Sequence, residues 1–250
     1  MTVPDLNGTT AIVTGASRGL GAETAAALCA AGARVVGVAR DKAELDERRE
    51  RLGAGFVPVA ADATDPDVAE SLLAQYRPRV LVLNAGAVPL GQPLQEYDWE
   101  SFSRHWQTDV QHAFHWTRQA LTLPLDPGSI VVAVSSGAAL KGSPVSGGYA
   151  GAKAAVRFLT GYAAEESARG GLGIDFRSVL PQMTPGSGVG NAGVRAYAER
   201  SGVGEEEFVR RMGQVLTPAA VGAAIAALAT DPALSPGAYQ PTAEGLKRLD

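Results

Sequence analysis

The sequence predicts an α/β protein built on a doubly wound parallel sheet of about seven strands, in a single domain over 1–250. Three observations predict it. Short Val- and Ile-rich runs alternate with longer stretches of helical pattern. The loops between them are short, which in a strand–helix–strand chain means right-handed crossovers and helices on both faces of the sheet. A glycine-rich turn follows the first strand and opens the first helix.

Taken in order, 10–14 (Thr-Ala-Ile-Val-Thr) reads as a strand and 19–31 as a helix, which Gly32 can close as its C-terminal glycine. A second strand at 34–39 leads to a helix at 42–52, and a third at 56–61 to a helix at 66–75. The fourth, 80–83, precedes a long helix at 99–123. A fifth at 129–135 precedes a helix at 149–168. The sixth, 173–180, runs into an irregular, glycine-rich stretch at 185–204. Thr217 as N-cap and Pro218 at the first helical position start the last helix, 218–229. A weaker seventh strand lies at 237–241. Several strands are apolar on both faces, as parallel strands covered on both sides are. The 185–204 stretch follows a strand, on the side where open α/β sheets bind ligands. It reads as a substrate flap, with a plain surface excursion as the alternative.

Composition narrows the function. An apolar share of 46% in 250 residues supports a large core, and 19% charged suits a soluble globule. A net charge of −4 argues against a nucleic-acid surface, which needs a basic stripe. Cys29 is the only cysteine, so no intrachain disulfide is expected and a reducing cytoplasm fits. The start, Met-Thr-Val-Pro-Asp-Leu, lacks the basic and apolar regions of a signal peptide. The longest apolar run, 221–229, is too short to span a bilayer. The expectation is a cytoplasmic enzyme with neither nucleic-acid nor membrane partners.

The turn is Thr14-Gly15-Ala16-Ser17-Arg18-Gly19-Leu20-Gly21. Gly15 and Gly19 let the backbone turn tightly and approach a ligand, and Gly21 lets the helix pack near the sheet. The free amides at the helix start then face an anion such as a pyrophosphate. The second strand ends in Ala39-Arg40, where an NAD-binding fold usually has an acidic side chain for the ribose hydroxyls. Arg40, with Arg18 approaching from the turn, suits the 2′-phosphate of NADP(H), since a guanidinium can bind two oxygens at once. The plainer account makes both arginines solvated surface charges.

Ser136, Tyr149 and Lys153 form a Ser-x12-Tyr-x3-Lys arrangement, with Tyr149 and Lys153 one helical turn apart. With the Gly-x-x-x-Gly-x-Gly turn, Asp62-Ala63, Asn84-Ala85-Gly86 and Pro181, the chain resembles the short-chain dehydrogenase/reductase family in its ordinary 250-residue form. The resemblance implies a Rossmann-type fold and hydride transfer between NADP(H) and a carbonyl or alcohol. Tyr149 would be the acid–base, Ser136 would hold the reacting oxygen, and Lys153 would bind the nicotinamide ribose and favour the tyrosinate. A cation about 4 Å away at an effective dielectric of ~20 offers roughly 4 kcal/mol, enough to bring a phenol from ~10 toward neutrality before desolvation is counted. Asp62 and Ala63 would sit beside the adenine, Asn84-Ala85-Gly86 along the cofactor groove, and Thr184 at the carboxamide. A homodimer or homotetramer is also implied.

Four positions depart from the family pattern. Leu83 replaces a frequent asparagine, and Gln182 replaces the usual glycine after Pro181, which narrows the site. Asp109 stands where an asparagine usually supports a proton relay to the lysine; it is either a substitute hydrogen-bond acceptor or a plain polar helix residue. The C-terminus lacks the double glycine often found in tetrameric relatives. His105, His112 and His115 share one helix without the spacing of a zinc site, so no metal is expected. Trp106 and Trp116 read as packing residues. Leu140, Val145 and Met183, small or apolar, suit a hydrophobic ketone. Two other readings stay open: a redox-neutral enzyme (dehydration, epimerisation or cyclisation) using the same tyrosine, and an NADP(H) sensor without catalysis.

Overall fold

The computed structural model describes residues 5–249. The first four residues, part of the segment read above for a signal peptide, and Asp250 lie outside them. The chain forms one eight-stranded sheet in the order β3-β2-β1-β4-β5-β6-β7-β8. Its strands are β1 (Thr10–Thr14), β2 (Arg34–Ala39), β3 (Phe56–Ala60), β4 (Val80–Leu83), β5 (Ile130–Val134), β6 (Asp175–Val179), β7 (Gly237–Thr242) and β8 (Gly245–Arg248). All pairings are parallel except β7 with β8, a short edge hairpin absent from the sequence reading. Its strand Gly-Leu-Lys-Arg carries little apolar signal, because it lies at the sheet edge.

Alternation along each inner strand divides the core between the two faces. On β4, Val80 and Val82 join the layer under the helices α1 (Gly19–Ala30) and α10 (Pro218–Thr230), while Leu81 and Leu83 join the opposite layer. That opposite layer is capped by α3 (Pro66–Tyr76), α5 (Gln111–Thr122) and α7 (Tyr149–Arg169). Both faces are therefore buried, which is why these strands are apolar throughout. Remaining helices are α2 (Lys42–Leu52), α4 (Trp99–His105), α6 (Ala138–Lys141), α8 (Gly188–Arg200) and α9 (Glu205–Met212). Thr217 caps α10 by accepting the Ala220 N–H at 3.2 Å, with Pro218 at its first position.

Two expectations fail locally. The 185–204 stretch is mostly helical: α8 occupies Gly188–Arg200, capped by Ser187 accepting the Gly190 N–H at 3.0 Å. Gly190 serves packing, since a Cβ there would collide with the Thr184 carbonyl. The long helix expected at 99–123 is interrupted by a π turn, Trp106–Val110, between α4 and α5. Such a turn inserts an extra residue and re-aims the side chains around it. Here the buried member is Asp109.

Candidate active site

The strand order reverses direction between β1 and β4, so the loops after these strands diverge and leave a crevice at their carboxyl ends. The glycine turn lies after β1 and Asn84-Ala85-Gly86 after β4. They are stitched together: the Asn84 side-chain amide donates to the carbonyls of Thr14 (3.1 Å) and Gly15 (3.2 Å). The Thr14 hydroxyl in turn accepts the N–H groups of Asn84 (2.9 Å) and Ala85 (3.2 Å). Gly15 has φ +66°, and a Cβ there would lie 2.8 Å from the Asn84 amide nitrogen. A Cβ at Gly21 would strike the Gly15 carbonyl. The glycines are thus demanded by the turn itself, while the space beyond Gly19 is open, the nearest atom to a Cβ there being Ser187 Cβ at 3.9 Å. The start of α1 has no side-chain cap and no acidic residue in its first turn. Its amides are available to an anion, which fits the pyrophosphate of a dinucleotide.

Around this turn, Arg18 and Arg40 are both exposed. Glu44 on α2 reaches Arg18 at 3.5 Å, and Arg48, one turn later, donates from Nε to the Ser17 carbonyl at 2.9 Å. Neither Glu44 nor Arg48 was singled out from the sequence; their i,i+4 spacing on the helix after Arg40 was the available signal. Asp62 accepts the Thr64 N–H and hydroxyl at 2.9 and 2.8 Å. That backbone bond, with the hydroxyl bond and the Arg40 charge, holds its carboxyl below the usual range against the opposing effect of burial. The Ala63 carbonyl is held by the indole N–H of buried Trp116 at 2.8 Å, a packing role as expected. Trp106, by contrast, is exposed.

Ser136, Tyr149 and Lys153 come together beside the crevice. Tyr149 starts α7 beside Ser136, whose hydroxyl accepts the Ala138 N–H at 3.2 Å. Lys153 lies one turn on, its Nζ 5.7 Å from the centre of the Tyr149 ring and donating to the Val134 carbonyl at 3.0 Å. The His105 and Tyr149 rings meet in a T-shaped contact with centroids 5.2 Å apart. Thr184 is buried, its hydroxyl donating to the Gln182 carbonyl at 2.9 Å. Leu140 is exposed and Val145 buried.

The π turn brings Asp109 to this group. Its Oδ1 lies 2.9 Å from Lys153 Nζ. Its Oδ2 accepts the Ala87 N–H at 3.0 Å and the Thr108 hydroxyl at 2.9 Å, and lies 3.4 Å from His105 Nδ1. Asp109 is 1% and Lys153 6% exposed, so both charges are withdrawn from water. Burial pushes the Asp109 carboxyl up, yet the Lys153 ammonium and the hydrogen bonds outweigh it and hold the carboxyl well below its usual range. Burial likewise pushes Lys153 down, and the Asp109 and Tyr149 charges outweigh it and raise it. The pair stays ionised.

One electrostatic expectation is reversed. The phenol of Tyr149 is raised above its ordinary value, first by burial and further by Asp109, against the lowering effects of Lys153 and the Ser136 hydrogen bond. Burial, left uncounted when the lysine was weighed, outweighs the Lys153 charge, and the Asp109 carboxylate adds a smaller raise. The other two histidines do not join it. His112 Nε2 lies 3.0 Å from the Thr14 hydroxyl, and His115 packs edge-on against Phe114. Burial, then Lys153, pushes His112 down to about 3, so it is neutral.

Comparison with known proteins agrees with this fold. The family model of the short chain dehydrogenases matches residues 9–211. D-erythrulose reductase of Gallus gallus is 36% identical over 134 residues, covering 51% of this chain and 54% of that protein. L-xylulose reductase of Homo sapiens is 40% identical over 106 residues, 42% of this chain and 43% of that protein. Carbonyl reductase [NADPH] 2 of Sus scrofa is 33% identical over 159 residues, 62% of this chain and 64% of that protein. The chain thus spans about half the length of the curated relatives it matches. A crystal structure of 3-ketoacyl-(acyl-carrier-protein) reductase from Brucella melitensis, complexed with NADH, superposes with a TM-score of 0.77 at 24% identity. It covers 94% of this chain and 97% of its own, a likeness of fold.

Proposed function

This chain belongs to the short-chain dehydrogenase family, and on that premise we propose that it reduces a small carbonyl compound, or oxidises the corresponding alcohol, with NADP(H). The observation that carries this reading is the assembly of Ser136, Tyr149 and Lys153 at the edge of the dinucleotide crevice. When bound, a reduced nicotinamide supplies the hydride for the carbonyl carbon. Tyr149 donates its phenolic proton to the carbonyl oxygen, so that an alcohol leaves and the tyrosinate is reprotonated from solvent. The Ser136 hydroxyl donates a hydrogen bond to the same oxygen and stabilises the charge that develops there. Lys153 binds the nicotinamide ribose, and its charge stabilises the transient tyrosinate.

Gly15, Ser17, Arg18, Gly19, Leu20 and Gly21 cradle the pyrophosphate, and Arg40 with Arg18 takes the 2′-phosphate. Asp62 and Ala63 flank the adenine, Asn84, Ala85 and Gly86 line the groove, and Thr184 meets the carboxamide. The exposed cations at 18 and 40, with no acidic residue at the end of β2, support NADP over NAD. Names of relatives support the substrate class, since erythrulose and xylulose reductases and an NADPH carbonyl reductase are among them. The α8 segment acts as a cover on the substrate side, tied down by the Tyr197 hydroxyl donating to Ser143 at 2.8 Å. Exposed Phe114 on α5, with Phe158 and Tyr162 stacked on α7, supports a homo-oligomer formed through these neighbouring helices. Among the described residues no helix is long and apolar enough to cross a membrane, and with a single cysteine we place the protein in the cytoplasm.

The test is reduced-nicotinamide absorbance with a panel of ketones and alcohols, each assayed with NADPH and NADH. Turnover with NADPH on at least one ketone, lost in Tyr149→Phe, is the expected result. No absorbance change with any pair would favour a redox-neutral enzyme or a sensor.

A further inference from the structure

The carboxylate at 109 lies outside the glycine turn, yet it is a buried charge paired with the lysine beside Tyr149. Its two oxygens meet four groups from three directions: Lys153 on α7, Ala87 after β4, and Thr108 and His105 on its own segment. A Cβ at Gly86 would lie 2.7 Å from Asp109 Oδ1, so the oxygen rests against that backbone. The carboxylate therefore cannot turn away from Lys153 without giving up its backbone donor at Ala87.

We propose that Asp109 is a positioning residue that, by ion-pairing Lys153, sets the pH preference of the two directions of reaction at Tyr149. The inference rests on Tyr149 being the acid–base. Reduction needs the phenol protonated, and oxidation needs it ionised. A lone ammonium one turn away favours ionisation, whereas an ammonium ion-paired with a carboxylate favours it less. With Asp109 in place, proton donation by Tyr149 persists to higher pH, and proton removal from an alcohol is confined to more alkaline solution.

The other polar groups facing this cluster do not undo that balance. Ser136, after β5, lowers the phenol, and His105 meets the ring in a T-shaped contact. His112, coupled to Lys153 and Asp109 and more weakly to Asp62, is neutral in the folded protein. An asparagine at 109 behaves differently from the aspartate. Its oxygen can still accept from Ala87 and Thr108, but its NH2 then faces Lys153 Nζ, donor against donor. The lysine loses its anion, and its full charge acts on Tyr149.

The experiment uses Asp109→Asn and Asp109→Ser, the second keeping a hydroxyl acceptor without charge. Ultraviolet tyrosinate absorbance is titrated in the protein without nucleotide, and the Tyr149 component is isolated by subtracting the same protein carrying Tyr149→Phe. Both directions of turnover are then followed from neutral to alkaline pH. The expected result is that the Tyr149 component appears at lower pH in both variants. The oxidation limb should move with it, raising oxidation at neutral pH on the order of tenfold per unit of displacement. A carboxylate that only braced the fold would change melting temperature or scale the rate equally at every pH. Titrations and limbs that superimpose on the parent overturn the proposal. Retained turnover in Tyr149→Phe would overturn the acid–base reading instead, while a displaced titration would still establish the pairing.

Discussion

Asp109 and Lys153 form an ion pair at 2.9 Å that is almost wholly withdrawn from solvent. Removing one member of such a pair leaves an uncompensated buried charge. Asp109→Ala should therefore destabilise the fold by about 3–5 kcal/mol, roughly 6–20 °C in melting temperature for a chain of this size. The depressed Asp109 carboxyl contributes stability that is present above the ordinary carboxylate value of about 4 and lost as pH falls through its lower folded value. The raised Lys153 contributes stability that is present below about 10 and lost as pH rises through its higher folded value. Thermal melts near neutrality measure the sum, and an Asp109→Ala protein melting with the parent would mean that the pair is energetically idle.

Tyr149→Phe removes a hydroxyl and keeps the ring against His105. Turnover should vanish while NADPH affinity stays nearly unchanged. Retention of more than about a tenth of the parent rate, against the 10²–10⁴-fold that acid–base catalysis contributes, would remove Tyr149 from that role.

Arg40→Ala should weaken NADPH and leave NADH about where it was. A lost charge-assisted contact with phosphate costs roughly 1.5–3 kcal/mol, a factor of about ten to a hundred or more. Arg18→Ala should act in the same sense but less, because Glu44 already holds that guanidinium at 3.5 Å. Titration of both variants with both nucleotides decides the matter, and equal losses for the two cofactors would assign Arg40 to the fold.

His112 is a separate pH probe. Its imidazole stays neutral down to about 3, while in the unfolded chain it takes a proton near ~6.5. Between those values the unfolded state binds more protons, so stability falls with falling pH by up to about 1.4 kcal/mol per unit from this group. His112→Gln, which can keep a bond to Thr14, should flatten that slope. Urea denaturation across mildly acidic pH measures it, and an unchanged slope would show that other groups carry the acid limb.

What the sequence determined by itself was whatever is encoded locally. Alternation of Val/Ile runs with helical stretches was enough for seven of the eight strands, and Thr217-Pro218 marked a helix start that the backbone adopts. The glycine turn was legible because its residues are required by their own backbone geometry, as Gly15 at φ +66° illustrates. Spacing also put Tyr149 and Lys153 on one helix face. Tertiary structure decided the rest, because it depends on partners far apart in the chain. The edge strand β8 exists through pairing with β7, and Gly190 and Gly193 pack a helix that the glycine-rich composition disguised as a loop. The charge state of the site is the clearest case. Periodicity cannot show that a π turn swings Asp109 inward, nor that Lys153, 44 positions later, ends 2.9 Å from it. A phenol's acidity is a sum over every nearby charge and its burial, and the burial that raises Tyr149 against the Lys153 charge is set by tertiary packing.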